Sequence, residues 1–410
     1  MNSMFDIEKI REQFPILERE VYGRKLIYLD SAATAQKPLC VVEKMEKLLL
    51  NDNANIHRGV HLLSEEMTAK YEEAREVVRS FIGAEHREEI IFTSGATMSL
   101  NLVASSYCEK FLHEGDNVVV SHIEHHSNIV PWQLATERKG AELRVIPVDD
   151  NGALELDILD TLIDERTKVV AVTQASNTLG TRPDLTKIVA KAHSVGAVVV
   201  VDGCQGVVHG GVDVKALDCD FYAFSGHKLY GPTGIGVLYG KRELLDAMPP
   251  YMGGGDMVDK VSFAKTTYAP LPLKFEAGTS NFIGAVGLAE AIKFLQQFAT
   301  SDVEQHEKEL LDYATEQLLQ VEGLHIYGTT ADKSPIISFN VEGCDHYDIG
   351  MILDKQGVAV RTGHHCAEPV MARYGTNGVV RASIALYTSK EDIDAFIKAV
   401  KRAVAMLKNF

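Results

Sequence analysis

Four apolar runs in this sequence end in residues able to do chemistry. The run DFYAF leads into Ser225, Gly226, His227 and Lys228, and then into LYGPTGIG. A lysine at a strand end is most often a solvated charge. One set between an apolar run and a Gly/Pro-rich turn, with a hydroxyl and an imidazole beside it, reads instead as part of a site. The run AVVVV ends in Asp202, followed by Gly203, Cys204 and Gln205. A carboxylate there suits a helix N-cap, a metal ligand or a partner for a cation. After NVVVS comes HIEHHSN, in which His125 and His126 are adjacent. They fit general acid–base groups, metal ligands or a plain polar loop; adjacent imidazoles chelate one ion poorly, and no metal site is expected. After EIIFT comes SGATMSLN, a Gly-containing turn opening a helix. Its backbone N–H groups and the Thr97 hydroxyl make either an anion site or an ordinary capped turn.

The elements that must position these groups follow from hydrophobic patterning. Short apolar runs at 25–30, 89–93, 117–121, 168–173, 197–202, 220–225 and 234–240 predict strands. Helical periodicity lies between several of them, as at 96–112 and 184–195. Alternation of apolar strands with helices predicts an α/β fold with a mainly parallel sheet covered on both faces. Sites in such sheets form beyond the carboxyl ends of the strands, where the four groups above stand. The pattern changes near residue 283: helices at 283–298 and 302–320 precede strands at 334–341, 357–363 and 379–386. A last helix starts at Ser389 with Asp392 as its capping-box partner. The expected organisation is an N-terminal segment (1–24) packing on a small domain, a large domain (25–295), and a smaller α+β C-terminal domain (296–410). Residues 248–281, rich in Gly, Pro and Tyr, read as surface loops and a subunit contact.

Composition narrows the function classes. The chain has 410 residues and a formal net charge of −16, with 46% hydrophobic and 24% charged residues. Such an acidic balance lacks the basic face that nucleic-acid binding needs. No run approaches the length of a membrane span, and the charged N-terminus lacks the apolar core of a signal peptide. The six cysteines are scattered, with no C-x-x-C pair. A cytoplasmic protein with reduced thiols is expected.

An anion cradle, an imidazole, a carboxylate and an amine at neighbouring strand ends together match the needs of one cofactor, pyridoxal 5′-phosphate. It requires a lysine for its aldehyde, an anion site for its phosphate and a carboxylate to keep its ring nitrogen protonated. In this chain order the sequence resembles the fold-type I pyridoxal-phosphate transferases, and within them the group II (SufS/CsdA-type) cysteine desulfurases. The resemblance spans nearly the whole chain, from YLDSAATAQKP to the final helix. It rests on EHHSNIVPW, SNTLG, VDGCQ, SGHKLYGPTGIG, FEAGTSN and RTGHHCAEP.

The resemblance implies a role for each matching residue. Lys228 forms the Schiff base, Asp202 pairs with the pyridinium, His125 stacks on the ring and assists proton transfer, and Gln205 bonds the ring hydroxyl. Ala96, Thr97, Ser225 and His227 hold the phosphate. Thr279 reaches the phosphate of a neighbouring subunit, so a homodimer is implied. Arg381 clamps the substrate carboxylate, and Arg361, Asn177 and His57 line the substrate pocket. Cys366 is the implied nucleophile; a free cysteine is otherwise most often a small buried hydrophobe. Here it follows Arg361, His364 and His365 in a polar loop, where positive charge would favour its thiolate. Cys204 reads as a tolerated small packing residue. Met98 stands where the family usually has an acid. The implied reaction converts L-cysteine to L-alanine and leaves a persulfide on Cys366, whose sulfur passes to a SufE- or SufU-like acceptor for iron–sulfur cluster assembly. The alternatives are action on L-selenocysteine or cysteine sulfinate, and, further off, an aminotransferase.

Overall fold

A computed structural model describes residues 5–408. Its centre is a seven-stranded sheet. In chain order the strands are β1 (Ile90–Thr93), β2 (Asn117–Ser121), β3 (Glu142–Ile146), β4 (Thr167–Thr173), β5 (Val198–Asp202), β6 (Phe221–Ser225) and β7 (Gly236–Gly240). Their spatial order is β1-β7-β6-β5-β4-β2-β3. β7 runs antiparallel to both its neighbours, and every other pairing is parallel. Two antiparallel steps restore direction, so β1 points the same way as β2 to β6. The carboxyl ends of β1, β2, β4, β5 and β6 therefore share one edge, as the mainly parallel reading requires.

The Val-rich strands are apolar through their middles because both faces are covered. Every residue of β2, β5 and β6 is buried. One face packs with Met67, Tyr71 and Val78 of α1 (Leu62–Phe81). The other packs with Leu100, Val103 and Tyr107 of α2 (Ala96–Phe111). A third helix, α3 (Leu185–Ser194), starts where Asp184 accepts the Lys187 N–H. The helix α4 (Phe282–Leu295) lies along α1.

The C-terminal part carries an antiparallel sheet of β8 (Leu324–Tyr327), β9 (Ile336–Val341), β10 (Arg361–Gly363) and β11 (Val379–Ser383), in the order β8-β9-β11-β10. Helices α5 (Thr300–Leu318) and α6 (Lys390–Lys408) share its core through Leu311, Leu318, Phe339, Phe396 and Val400. The predicted capping box is present: Ser389 N–H reaches Asp392 at 3.1 Å and Asp392 N–H reaches Ser389 Oγ at 3.2 Å. Among the described residues, no helix is long and apolar enough to cross a membrane.

Three expectations change. The run 25–30 does not join the central sheet; Ile27–Tyr28 pairs in parallel with Val358–Ala359, and Asp30 bridges Ser383. Its apolar residues Ile27 and Leu29 fill the C-terminal core, a tertiary preference that the short run does not disclose. The run 357–363 is split at Val360, because its first half pairs with residues 27–28 and its second with β11. Within 248–281, Val258–Val261 and Thr266–Tyr268 form a hairpin. The N-terminal segment touches both parts. Arg11 bonds Asp392 and the Tyr387 carbonyl, both at 2.6 Å, while Phe14 packs on Phe294, Tyr230 and Tyr387.

Candidate active site

The shared strand edge closes around a cavity of about 170 Å³. Ala96, Thr97, His125, Asn177, Asp202, Ser225, His227, Lys228, Arg361 and Arg381 all line it. Ala32, Ala33, Ser127, Cys204 and His365 complete the wall. A larger groove of about 1020 Å³ lies by Arg182, His209 and α5, but it holds none of the strand-end groups.

Lys228 is fixed through its neighbour. The His227 carbonyl accepts Ala35 N–H at 3.1 Å, Thr34 Oγ1 at 3.2 Å and Lys37 Nζ at 2.8 Å. The anion cradle is built by a close backbone approach. A side chain on Gly236 would meet Gly95 Cα at 2.4 Å, and Gly95 has φ +153°. The turn before α2 can therefore lie flat against β7, and Ala96 N–H reaches Ser225 Oγ at 2.9 Å. The next N–H groups of this sixteen-residue helix have no intrahelical acceptor. Met98, in place of an acid, puts its sulfur 3.4 Å from Ser94 N and Oγ.

His125 Nδ1 accepts Ser127 N–H at 3.1 Å and lies 2.8 Å from Ser127 Oγ, which places the ring proton on Nε2. Burial, reinforced by the Lys228 charge, lowers its pKa to about 4, so the ring is neutral and flat. Burial and the Lys228 and Lys37 charges lower His227 to about 4 as well. Asp202 ends β5 opposite Thr173 and Ala223 and accepts Cys204 N–H at 3.0 Å.

Arg381, 1% exposed, enters from the C-terminal sheet. Its Nη1 donates to the Asn177 carbonyl at 2.9 Å and its Nη2 to Asp30 at 3.0 Å, while Nε has no partner. Asp30, which sequence reasoning missed, is brought there by the strand pairing of residues 27–30. Burial pushes the Asp30 carboxyl up and the Arg381 guanidinium down.

Cys366 sits partly exposed beside His365 and is not itself in the cavity wall. Its loop is clipped to the His125 loop: His126 N–H reaches the Cys366 carbonyl at 2.8 Å, and Asn177 Nδ2 reaches the His365 carbonyl at 2.8 Å. His365 (φ +53°) and Cys366 (φ +56°) are both left-handed. His364 Nδ1 accepts Cys366 N–H at 3.2 Å, and its ring stacks on His126. One expectation fails here. His365 is buried and its pKa is lowered to about 2, chiefly by desolvation, so it brings no positive charge to Cys366. Burial raises the other thiols, Cys108 and Cys204 to about 12, and also Cys40, Cys219 and Cys344. Cys204 is a wall residue as well as a packing one.

Besides Cys366, three residues expected at the site lie outside the cavity wall. Gln205 is buried with its amide donated to the Ala32 carbonyl at 2.8 Å. Thr279 is exposed on the surface. His57 (φ +70°) packs edge-on to Tyr71.

The arrangement fits pyridoxal phosphate. An amine, a carboxylate and a neutral flat ring meet a helix N-terminus in one cavity. Arg381 Nε and Asn177 Oδ1 are buried polar atoms without protein partners, and such atoms are costly unless a ligand or water satisfies them.

Comparison with known proteins agrees. The family model for aminotransferase class-V matches residues 27–396. A protein named cysteine desulfurase from Dickeya dadantii (strain 3937) is 48% identical over 404 residues, 98% of each chain. The crystal structure of the cysteine desulfurase CsdA (S-sulfonic acid) from Escherichia coli superposes with a TM-score of 0.92 at 42% identity, over 98% of this chain and 100% of that one. The apo cysteine desulfurase from Thermococcus onnurineus NA1 gives a TM-score of 0.94 at 39% identity, over the whole of both chains.

Proposed function

From the premise that the chain belongs to the aminotransferase class-V family, as a fold-type I pyridoxal-phosphate enzyme, we propose that it is a cysteine desulfurase. The observation that carries this reading is the clip between two loops. It sets a partly exposed thiol, Cys366, against a cavity already holding Lys228, Asp202 and Arg381.

When bound through Lys228, the cofactor supplies an electron sink that makes the bonds at the substrate's amine-bearing carbon labile. Asp202 holds the proton on the ring nitrogen. The neutral His125 ring would lie against one face of the cofactor ring, with its Nε2 proton available for transfer. Ser225, His227, Thr97 and the Ala96 turn would take the phosphate, and Gln205, held on the Ala32 carbonyl outside the wall, would take the ring hydroxyl. Arg381, with Arg361 beside it, clamps the substrate carboxylate; a guanidinium fork matches both oxygens. Asn177 lines the substrate side of the cavity, and His57, packed on Tyr71 outside the wall, would act from behind it. The free Lys228 amine would take the substrate's α-proton. The Cys366 thiolate then bonds the substrate sulfur while the carbon–sulfur bond breaks. The electron pair stays on carbon, which takes up protons and leaves as alanine, and Cys366 keeps the sulfur as a persulfide.

The persulfide is passed to an acceptor protein of the SufE or SufU kind in the cytoplasm, toward iron–sulfur cluster assembly. Thr279, exposed on the single chain, contacts the phosphate site of the second subunit of a homodimer. The boundary between the larger and smaller parts falls near 295, where α4 ends. The test is Cys366→Ala with cofactor bound. Alanine and sulfide formation from L-cysteine should fall by roughly 10²-fold or more. Undiminished desulfuration would remove Cys366 from the reaction. Selenocysteine cleavage faster than cysteine cleavage in the unaltered enzyme would favour the selenium reading instead.

A further inference from the structure

Beneath His125 lies a carboxyl group that the proposed chemistry does not use. Glu124 is fully buried. Its Oε1 contacts Ser121 Oγ and accepts Thr173 N–H at 2.8 Å; its Oε2 accepts Asn128 Nδ2 at 2.7 Å. Asn128 Oδ1 in turn accepts Trp132 Nε1–H at 2.9 Å, which fixes which way the amide faces. One carboxyl thus ties the last residue of β2 to the far end of the loop that carries His125. It anchors both to the end of β4.

The anchor point matters. Thr173 lies opposite Asp202 in the parallel register, and its Oγ1 reaches the Asp202 carbonyl at 3.3 Å. Gln174 N–H reaches the same carbonyl at 2.9 Å. The ring-face group and the ring-nitrogen acid are therefore referenced to one another through a short chain of hydrogen bonds: His125 loop, Glu124, Thr173, Asp202. A buried carboxyl is expensive, and desolvation raises this one to about 8. A simple apolar residue would fill the space at less cost. A carboxyl that meets donors from three separate segments sets a geometry that no apolar residue can set.

We propose that Glu124 is a positioning residue that holds the His125 ring at a fixed tilt and height over the cofactor ring, relative to Asp202. This rests on the pyridoxal-phosphate reading above and deepens it. Glu124 touches neither substrate nor cofactor and acts only through His125.

Glu124→Gln is the sharp test. The amide keeps size and neutrality, and its oxygen serves Thr173 and Ser121. Its nitrogen, however, then faces the Asn128 amide nitrogen, and Asn128 cannot turn without losing Trp132. The readouts are the visible circular dichroism of the bound cofactor, its release rate and kcat against KM. The dichroism reports the asymmetric contact of His125 with the ring. Expected in Glu124→Gln are a dichroic band reduced at least twofold at unchanged cofactor content, faster release, and kcat lower by about 10-fold with KM nearly constant. Ser121→Ala, which removes one partner, should move the same readouts less and in the same direction. In a His125→Ala background, Glu124→Gln should add nothing to either the dichroism or kcat. The proposal is overturned if Glu124→Gln lowers the melting temperature yet leaves dichroism and release as in the unaltered protein. It is equally overturned if the double variant shows additive losses. Should Glu124→Gln not fold, Ser121→Ala with and without His125→Ala decides by the same two criteria. No visible band in the unaltered holoenzyme would overturn the pyridoxal-phosphate reading and this proposal with it. A normal band that ignores Glu124 overturns only this proposal.

Discussion

The two halves of the site are built in opposite ways. The floor, with Lys228, Asp202 and His125, stands on strand ends whose register is locked by backbone pairing, and β5 and β6 are buried along their whole length. The Cys366 loop is partly exposed and holds two consecutive non-glycine residues in the left-handed region. Each such residue costs roughly 1 kcal/mol or more and persists only when its surroundings impose it. Three contacts impose it here: His126 to the Cys366 carbonyl, Asn177 to the His365 carbonyl, and Cys366 N–H to His364. A floor that must hold a flat cofactor needs rigidity. On the proposed function, a thiol that first meets a substrate and then hands on its sulfur needs reach. Backbone pairing serves the first, and a strained loop held at a few points serves the second.

The two halves should separate when each is damaged. The largest effect belongs to the floor. Lys228→Ala should abolish both the visible cofactor band and turnover, the latter by roughly 10³-fold or more; Cys366→Ala should abolish turnover but keep the band. Spectra and alanine release on the same samples check this. Next comes Arg381→Ala, which strands the half-buried Asp30. KM for cysteine should rise by about 10²-fold and the protein should lose about 3 kcal/mol, read by steady-state kinetics and urea denaturation. Asn177→Ala weakens the loop without touching the floor. It should lower kcat by about 10-fold with an unchanged visible band.

A smaller effect follows from the histidines. His125 and His365 are depressed to about 4 and about 2, against 6.5 unperturbed. In the unfolded chain they take up protons near pH 6.5, while in the folded chain they stay neutral. Their contribution to stability is complete above pH 6.5 and declines as the pH falls toward 4. His365→Asn should make the fall in denaturation midpoint between pH 6.5 and 4 shallower than in the unaltered protein. Least affected is Cys204→Ala. That thiol lies in the floor, is pushed to about 12 by burial, and its loss should change sulfur transfer by less than about twofold.

The floor was legible in the sequence because each of its residues ends an apolar run, and parallel sheets gather those ends at one edge. Lys228, Asp202, His125 and the Ala96–Thr97 turn meet where strand order alone predicts. The loop was less so. The sequence places Cys366 after Arg361, His364 and His365, but desolvation leaves His365 neutral, and burial cannot be read from neighbours in the chain. Asp30 was missed because it reaches Arg381 through pairing of residues 27–28 with 358–359, a long-range contact with no local signature. Glu124 stood in plain view just before His125 and His126, yet only the folded chain shows its three donors. Thr279, expected against a second chain, stands exposed on this one.

The proposed reaction requires sulfur to cross from the floor to the loop and stop on Cys366. Mass analysis of the holoenzyme after a single turnover with sulfur-labelled L-cysteine, before any acceptor is added, tests it directly. One labelled sulfur is expected on the peptide carrying Cys366, in step with the alanine released. Full alanine release with the label on Cys204, or on no cysteine, would contradict it.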